Sequence, residues 1–295
     1  MSELSDKIRK EFKESDDVRD ALMSTPEDVE RWDNIVYGHD DRKMQRLDVY
    51  RPKQAQGEDL PVIISVHGGA WMYGDKERYQ YYCMSLAQRG FAVINFSYRL
   101  APEYKFPAQL EDLNLVCKWV LKRAGRFHFD TERIFAVGDS AGGQLLGLYA
   151  GICTNPEKKE KFDIETPEGF ALTAIALNCG VYSIPKEDPK SLTMRIMKEL
   201  LPEGGTEEEL EKMDVINGIT DVYPPTFCMT AVNDFQREQA PALVRKLMDC
   251  KVPFVYRVFG DKVNQLGHVF HCDIKTIDAA QCNDAECDFF REFCF

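Results

Sequence analysis

Apolar residues along the chain come in two rhythms. Pro61-Val-Ile-Ile-Ser-Val-His67 and Phe91-Ala-Val-Ile-Asn-Phe-Ser-Tyr98 are continuous apolar runs, as strands buried on both faces require. Similar runs recur at 133–138, 173–178, 226–232 and 253–259. Between them the spacing changes to that of helices. One helix is predicted over Tyr79–Arg89, ended by Gly90, and a longer one over Pro107–Arg123, with Leu110, Leu113, Val116, Cys117, Val120 and Leu121 on one face. Others are predicted near 236–250 and 273–293. Strands alternating with helices imply an α/β fold with a mostly parallel sheet covered on both faces. Residues 34–38 and 45–51 alternate in the manner of an edge hairpin, which brings the expected number of strands to eight.

Two stretches break this rhythm. In residues 1–33, Leu4, Ile8 and Phe12 recur at helical spacing, and Thr25-Pro26 reads as the cap and first position of a second helix. Residues 182–221 hold an apolar helix over Leu192–Leu201, a Pro-Glu-Gly-Gly break and an acidic helix start at Thr206. An insertion at the carboxyl ends of the strands lies where open α/β sheets bind ligands. The predicted organisation is therefore a core of 34–181 and 222–295, with 1–33 and 182–221 as a helical cap.

Composition narrows the partners. The 295 residues carry a net charge of −12, which disfavours nucleic acid and anionic membranes. No apolar run approaches the roughly 20 residues needed to cross a bilayer, and the charged first twenty residues show no secretory signal. A cytoplasmic location is expected. The ten cysteines form no CxxC pair and sit mostly in apolar stretches, so they are read as reduced thiols without a metal site.

The candidate chemistry begins at Gly138-Asp139-Ser140-Ala141-Gly142. An apolar strand ends there and an amphipathic helix follows, so Ser140 stands on a sharp strand-to-helix turn. A serine hydroxyl needs a base, and the base needs an orienting acid. Among five histidines, His268 and His271 follow the last strand. His268, after Gly267, is preferred, with His271 as the alternate. Asp234 leaves the strand 226–232 on the same edge, and Asp261 is the alternate acid. The order Ser140, Asp234, His268 is that of a nucleophile-elbow hydrolase. His67-Gly68-Gly69-Ala70-Trp71 follows the third strand, and the amides of Gly68, Gly69 and Ala141 are predicted to form an oxyanion hole. Trp71, Tyr73 and Asp139 flank these donors and are expected to meet substrate.

These residues resemble the hormone-sensitive-lipase-like branch of α/β-hydrolase esterases. The resemblance rests on His67-Gly68-Gly69-Ala70-Trp71, Tyr98-Arg-Leu-Ala-Pro-Glu103 with Phe106-Pro107-Ala108, Gly138–Gly143, Asp234, and His268 with Phe270. It covers nearly all of 34–295. Two departures stand out: Ala70 replaces the third glycine of the usual His-Gly-Gly-Gly loop, and Phe235-Gln236-Arg237 replaces a Leu-containing, acid-rich run. The resemblance implies an α/β-hydrolase fold and cofactor-free hydrolysis of carboxylic esters through an acyl-enzyme. Bulky Trp71 and Tyr73 suggest a modest pocket and short acyl chains on a small-molecule ester. Deacetylation of acylated sugars and arylformamidase-type amide hydrolysis use the same triad and remain open. A non-catalytic ligand-binding relative would typically lack the histidine. A homodimer is compatible with the sequence.

Overall fold

The computed structural model describes residues 2–294. Eight strands form one sheet: β1 (Val29–Val36), β2 (Arg46–Pro52), β3 (Leu60–Val66), β4 (Ala92–Phe96), β5 (Phe129–Asp139), β6 (Ala174–Asn178), β7 (Thr226–Ala231) and β8 (Phe254–Phe259). Their spatial order is β1-β2-β4-β3-β5-β6-β7-β8. β2 is antiparallel to both its neighbours, and all later pairs are parallel.

The helices are α1 (Glu3–Asp20), α2 (Lys76–Ala87), α3 (Ala108–Phe127), α4 (Ala141–Thr154), α5 (Pro156–Glu160), α6 (Leu192–Leu200), α7 (Glu207–Met213), α8 (Ala240–Asp249) and α9 (Ile277–Arg291). Side chains alternate across a strand, and the core divides accordingly. Val62, Ile64 and Val66 face α3, α4 and α8 on one side, whereas Ile63, Val93, Phe135 and Phe227 meet α2 and α9 on the other.

The register sets the location of the site. Val66 of β3 pairs with both Phe96 and Gly138, and Asp139 pairs with Asn178. The central strands therefore end level, and the loops after β3 and β5 leave side by side. From β3 the chain adds β4 on one side and then crosses to β5 on the other, from which β6, β7 and β8 add outward in order. This is the reversal at which open α/β sheets bind ligands.

The insertion forms helices where expected. Thr206 and Glu209 make a reciprocal capping box on α7, and Met194, Met197, Leu200, Leu210 and Met213 are buried. The segment before the sheet departs from expectation. No second helix starts at Thr25, and β1 begins at Val29, within the stretch read as helical. Thr25-Pro-Glu-Asp is a good helix start locally, but Val29 pairs with Pro52 and Trp32 with Val49. Trp32 also packs edge-on to Phe127 at 5.4 Å. Long-range pairing and aromatic burial outweigh a capping preference worth about 1 kcal/mol. All ten cysteines are unpaired. Among the described residues, no helix is long and apolar enough to cross a membrane.

Candidate active site

Ser140 separates β5 from α4 with φ 52° and ψ −119°, a strained conformation that rigid neighbours must hold. A Cβ at Gly142 would stand 2.0 Å from the Val66 carbonyl oxygen and 2.5 Å from that of His67. Only glycine lets α4 leave so close to β3. The Ser140 amide donates to the Asn178 carbonyl at 3.0 Å, which ties the turn to the end of β6. Ala141 opens the helix, so its N–H has no partner within the helix.

The loop after β3 runs beside this turn. His67 is fully buried, stacked on Tyr98 with centroids 3.9 Å apart. Burial pushes its imidazole down to about 4, and Nδ1 lies 2.7 Å from the Gly68 carbonyl. The neutral ring thus carries its proton on Nδ1 and braces the loop. Gly69, Ala70 and Trp71 follow with φ of 117°, 52° and 59°. At Gly69 a Cβ would stand 2.1 Å from the Tyr73 carbonyl oxygen.

Two expectations need correction. The Gly68 N–H is already spent: it donates to the Tyr79 hydroxyl at 2.9 Å. That hydroxyl in turn donates to Asp139 Oδ2 at 2.7 Å. The amides of Gly69 and Ala70 find no acceptor among the described residues. Asp139, expected to meet substrate, is buried behind the loop, and burial pushes its carboxyl up to about 6. It supports the loop from below. Trp71 is also buried; its indole N–H donates to Gln144 Oε1 at 3.1 Å, and Gln144 Nε2 donates to the Met213 carbonyl at the end of α7. The Tyr73 hydroxyl donates to Asp16 of α1 at 2.9 Å.

On the far side of β6, Asp234 leaves β7. His268 Nδ1 lies 2.6 Å from Asp234 Oδ1. The Gln236 amide also donates to Oδ1, at 2.9 Å, and the Thr230 hydroxyl donates to Oδ2 at 2.8 Å. Burial alone would raise this carboxyl, but the His268 contact and these donors hold it below the usual range. The Asn233 amide donates to the Leu266 carbonyl, and Asn233 bridges to Gly267. This short pairing holds the two loops in register, so Asp234 and His268 are placed together. Among the described residues Asp261 accepts only from amides in its own turn, those of Val263 and Asn264. His271 is fully buried in a short 3-10 turn.

Three contacts around the site were not expected from the sequence. Asn178 Nδ2 and the Tyr82 hydroxyl both donate to buried Glu286, whose carboxyl burial pushes up to about 7. Arg9 of α1 donates to the Met72 and Ala101 carbonyls and forms a two-pronged pair with Glu103. Phe235 lies over His268, centroids 4.2 Å apart. Glu286 stands 108 residues from Asn178, a separation that no local pattern encodes. Arg9 had a visible signal, a cation beside the apolar stripe of Leu4, Ile8 and Phe12.

A level, mostly parallel sheet with a strained serine turn and an aspartate–histidine pair on one edge defines the α/β-hydrolase fold. The BD-FAE family model matches residues 47–247, more than half of the 295-residue chain, and the chain belongs to that family. It is similar to esterase LipC of Mycobacterium tuberculosis, 28% identical over 244 residues, covering 80% of this chain and 57% of that protein. It is also similar to arylacetamide deacetylase of Bos taurus, 36% identical over 124 residues, 40% of this chain and 31% of that one. The chain thus spans little more than half of LipC and about a third of the deacetylase. Among solved structures, esterase B of Lactobacillus rhamnosis, in a complex described as inhibited by a tributyrin phosphonate, superposes with a TM-score of 0.87 at 25% identity, covering 99% of this chain and 96% of that one.

Proposed function

We propose that the chain is a serine carboxylesterase acting on small-molecule esters with short acyl groups. The observation that carries the reading is the 2.6 Å contact between His268 Nδ1 and Asp234, on the sheet edge where the Ser140 turn leaves β5. With Nδ1 committed to Asp234, Nε2 is the nitrogen left to take the Ser140 proton. Ser140 Oγ attacks the ester carbonyl, and the amides of Gly69, Ala70 and Ala141 receive the oxyanion. His268 passes the proton to the leaving alcohol, and the ester bond breaks to leave an acyl-Ser140. Water, deprotonated by His268, then releases the acid and restores the serine. Ester and water become acid and alcohol without a cofactor.

The short-chain preference is supported by the anchored Trp71 and Tyr73 beside the oxyanion loop, and by the tributyrin phosphonate that inhibits esterase B. Helix α1 and residues 182–221 are taken as the cap over this site. Their ties to the loop, Arg9 to Met72 and Gln144 to Met213, support that role. Deacetylation is the second reading, favoured by the likeness to arylacetamide deacetylase.

The test is a p-nitrophenyl ester series from acetate to decanoate, run beside an arylacetamide, with mass spectrometry after a serine-reactive phosphonate. Turnover greatest on the short esters and a single adduct on Ser140 are expected. No adduct sinks the mechanism, and a preference for the decanoate or the amide sinks the substrate assignment.

A further inference from the structure

Phe235 is 72% exposed, although it follows a buried acid and is held by a tightly bonded loop. Single exposed apolar side chains are common. This one differs in what it touches. Its ring lies 4.2 Å from the His268 imidazole, inclined at 41°, so one part rests on the base while the rest faces solvent. The placement is rigid on both sides of the contact. The neighbouring Asp234 accepts hydrogen bonds from Gln236 and Thr230, and Asn233 pairs with the loop that carries His268.

We propose that Phe235 is the platform for the alcohol half of the ester, and that it favours aromatic leaving alcohols. The inference rests on the esterase reading above. Because Nδ1 is held by Asp234, the proton delivered to the leaving oxygen comes from Nε2. That oxygen must stand roughly 3 Å from Nε2 when the ester bond breaks. The carbons attached to it then lie beside the ring that flanks the imidazole. Aromatic pairs are favourable at centroid separations of about 4.5–7 Å, a range that an aryl group on that oxygen can reach. An ethyl group presents less surface and no face to the ring. The acyl half is bonded to Ser140 and is held from the opposite side, by the oxyanion loop. Phe235 therefore acts while the alcohol is present and has nothing to touch afterwards.

This timing provides the test. Phenyl acetate and ethyl acetate give the same acetyl-Ser140, so acylation differs between them and deacylation does not. The wild type, Phe235→Ala, Phe235→Leu and Phe235→Trp are compared by kcat/KM on both esters and by the single-turnover rate of deacetylation. In the Ala and Leu variants, kcat/KM for phenyl acetate is expected to fall about tenfold relative to ethyl acetate. Deacetylation should be unchanged, and Trp should retain the preference. If both esters and deacetylation fall by one factor, Phe235 only positions His268 and the proposal is overturned. An unchanged ester ratio in both truncated variants overturns it as well. Failure of the esterase reading looks different: wild-type protein with no acetyl-enzyme and no turnover of either ester.

Discussion

His268 and His271 stand three residues apart, and each sits with an aspartate and a cysteine. In one cluster the polar atoms of Cys179, Asp234 and His268 all lie within 4.8 Å of one another, and in the other those of Asp139, His271 and Cys272 do. The residue types are the same, but their environments give them opposite properties. His268 faces Asp234 through a 2.6 Å contact, with its side chain 17% exposed. His271 is fully buried and its Nδ1 has no partner among the described residues. Its Nε2 meets only the Cys272 sulfur at 3.6 Å, and Tyr82 packs edge-on to the ring at 5.1 Å. Burial, with His268 and Arg19 nearby, pushes its imidazole down to about 3. The aspartates differ in the same way. Asp234 is held ionised by surrounding donors, whereas Asp139 is raised by burial to about 6. Composition and proximity therefore do not make a general base. An oriented carboxylate contact is what the proposed base, His268, has and His271 lacks.

Exchanging roles between the histidines gives the largest contrast. His268→Gln should lower kcat by about 10⁶, as loss of the base does in serine hydrolases. His271→Gln should keep activity within about tenfold, because it removes packing and no proton carrier. Equal losses in titrated-site assays of the two variants would dissolve the distinction. The aspartates give the next contrast. Asp234→Asn removes the charge that fixes the His268 tautomer and should cost about 10⁴ in kcat. Asp139→Asn can still accept the Tyr79 hydroxyl and should cost about tenfold or less. A larger loss at Asp139 would make the support under the oxyanion loop the dominant contribution.

The smallest effect concerns stability. The unfolded chain protonates His271 below its ordinary value of 6.5, while the folded chain resists protonation down to about 3. Over that interval the unfolded state binds the additional proton, so stability falls as pH falls. Between pH 6.5 and 5 the contribution is roughly 2 kcal/mol. His67, also buried and neutral, acts in the same direction in both proteins and cancels in the comparison. Urea unfolding should show the wild type losing more stability than His271→Gln between pH 7 and 5. Parallel losses would mean that His271 is protonated in the folded state.

The legible parts of this molecule are those with local steric or periodic demands. The Ser140 turn needs glycine two residues on, because α4 leaves against the β3 carbonyls, and that need is written in five adjacent residues. The apolar runs of β3, β4, β6 and β7 show directly that both sides of the sheet are covered. That Asp234 and His268 would meet was recognisable from chain order and from loops placed after strands. The donor assignment at Gly68 failed for a physical reason. Whether an amide is free depends on what lies opposite it, and the Tyr79 hydroxyl comes from a helix eleven residues on. Asp139 failed similarly, since next to the nucleophile in sequence is beneath it in space. The helix expected after Thr25 had a sound local signal and lost to pairing with β2.

Arg9 on α1 grips the loop at Met72, and Lys275, beyond His268, reaches back to the carbonyls of Arg19 and Ala21. Read in the order of synthesis, the site closes on itself from both directions. The clamp emerges early and waits for its loop. Ser140, the proposed nucleophile, follows near the middle, and His268, the proposed base, comes among the last thirty residues given. The proposed activity therefore depends on the meeting of early and late segments.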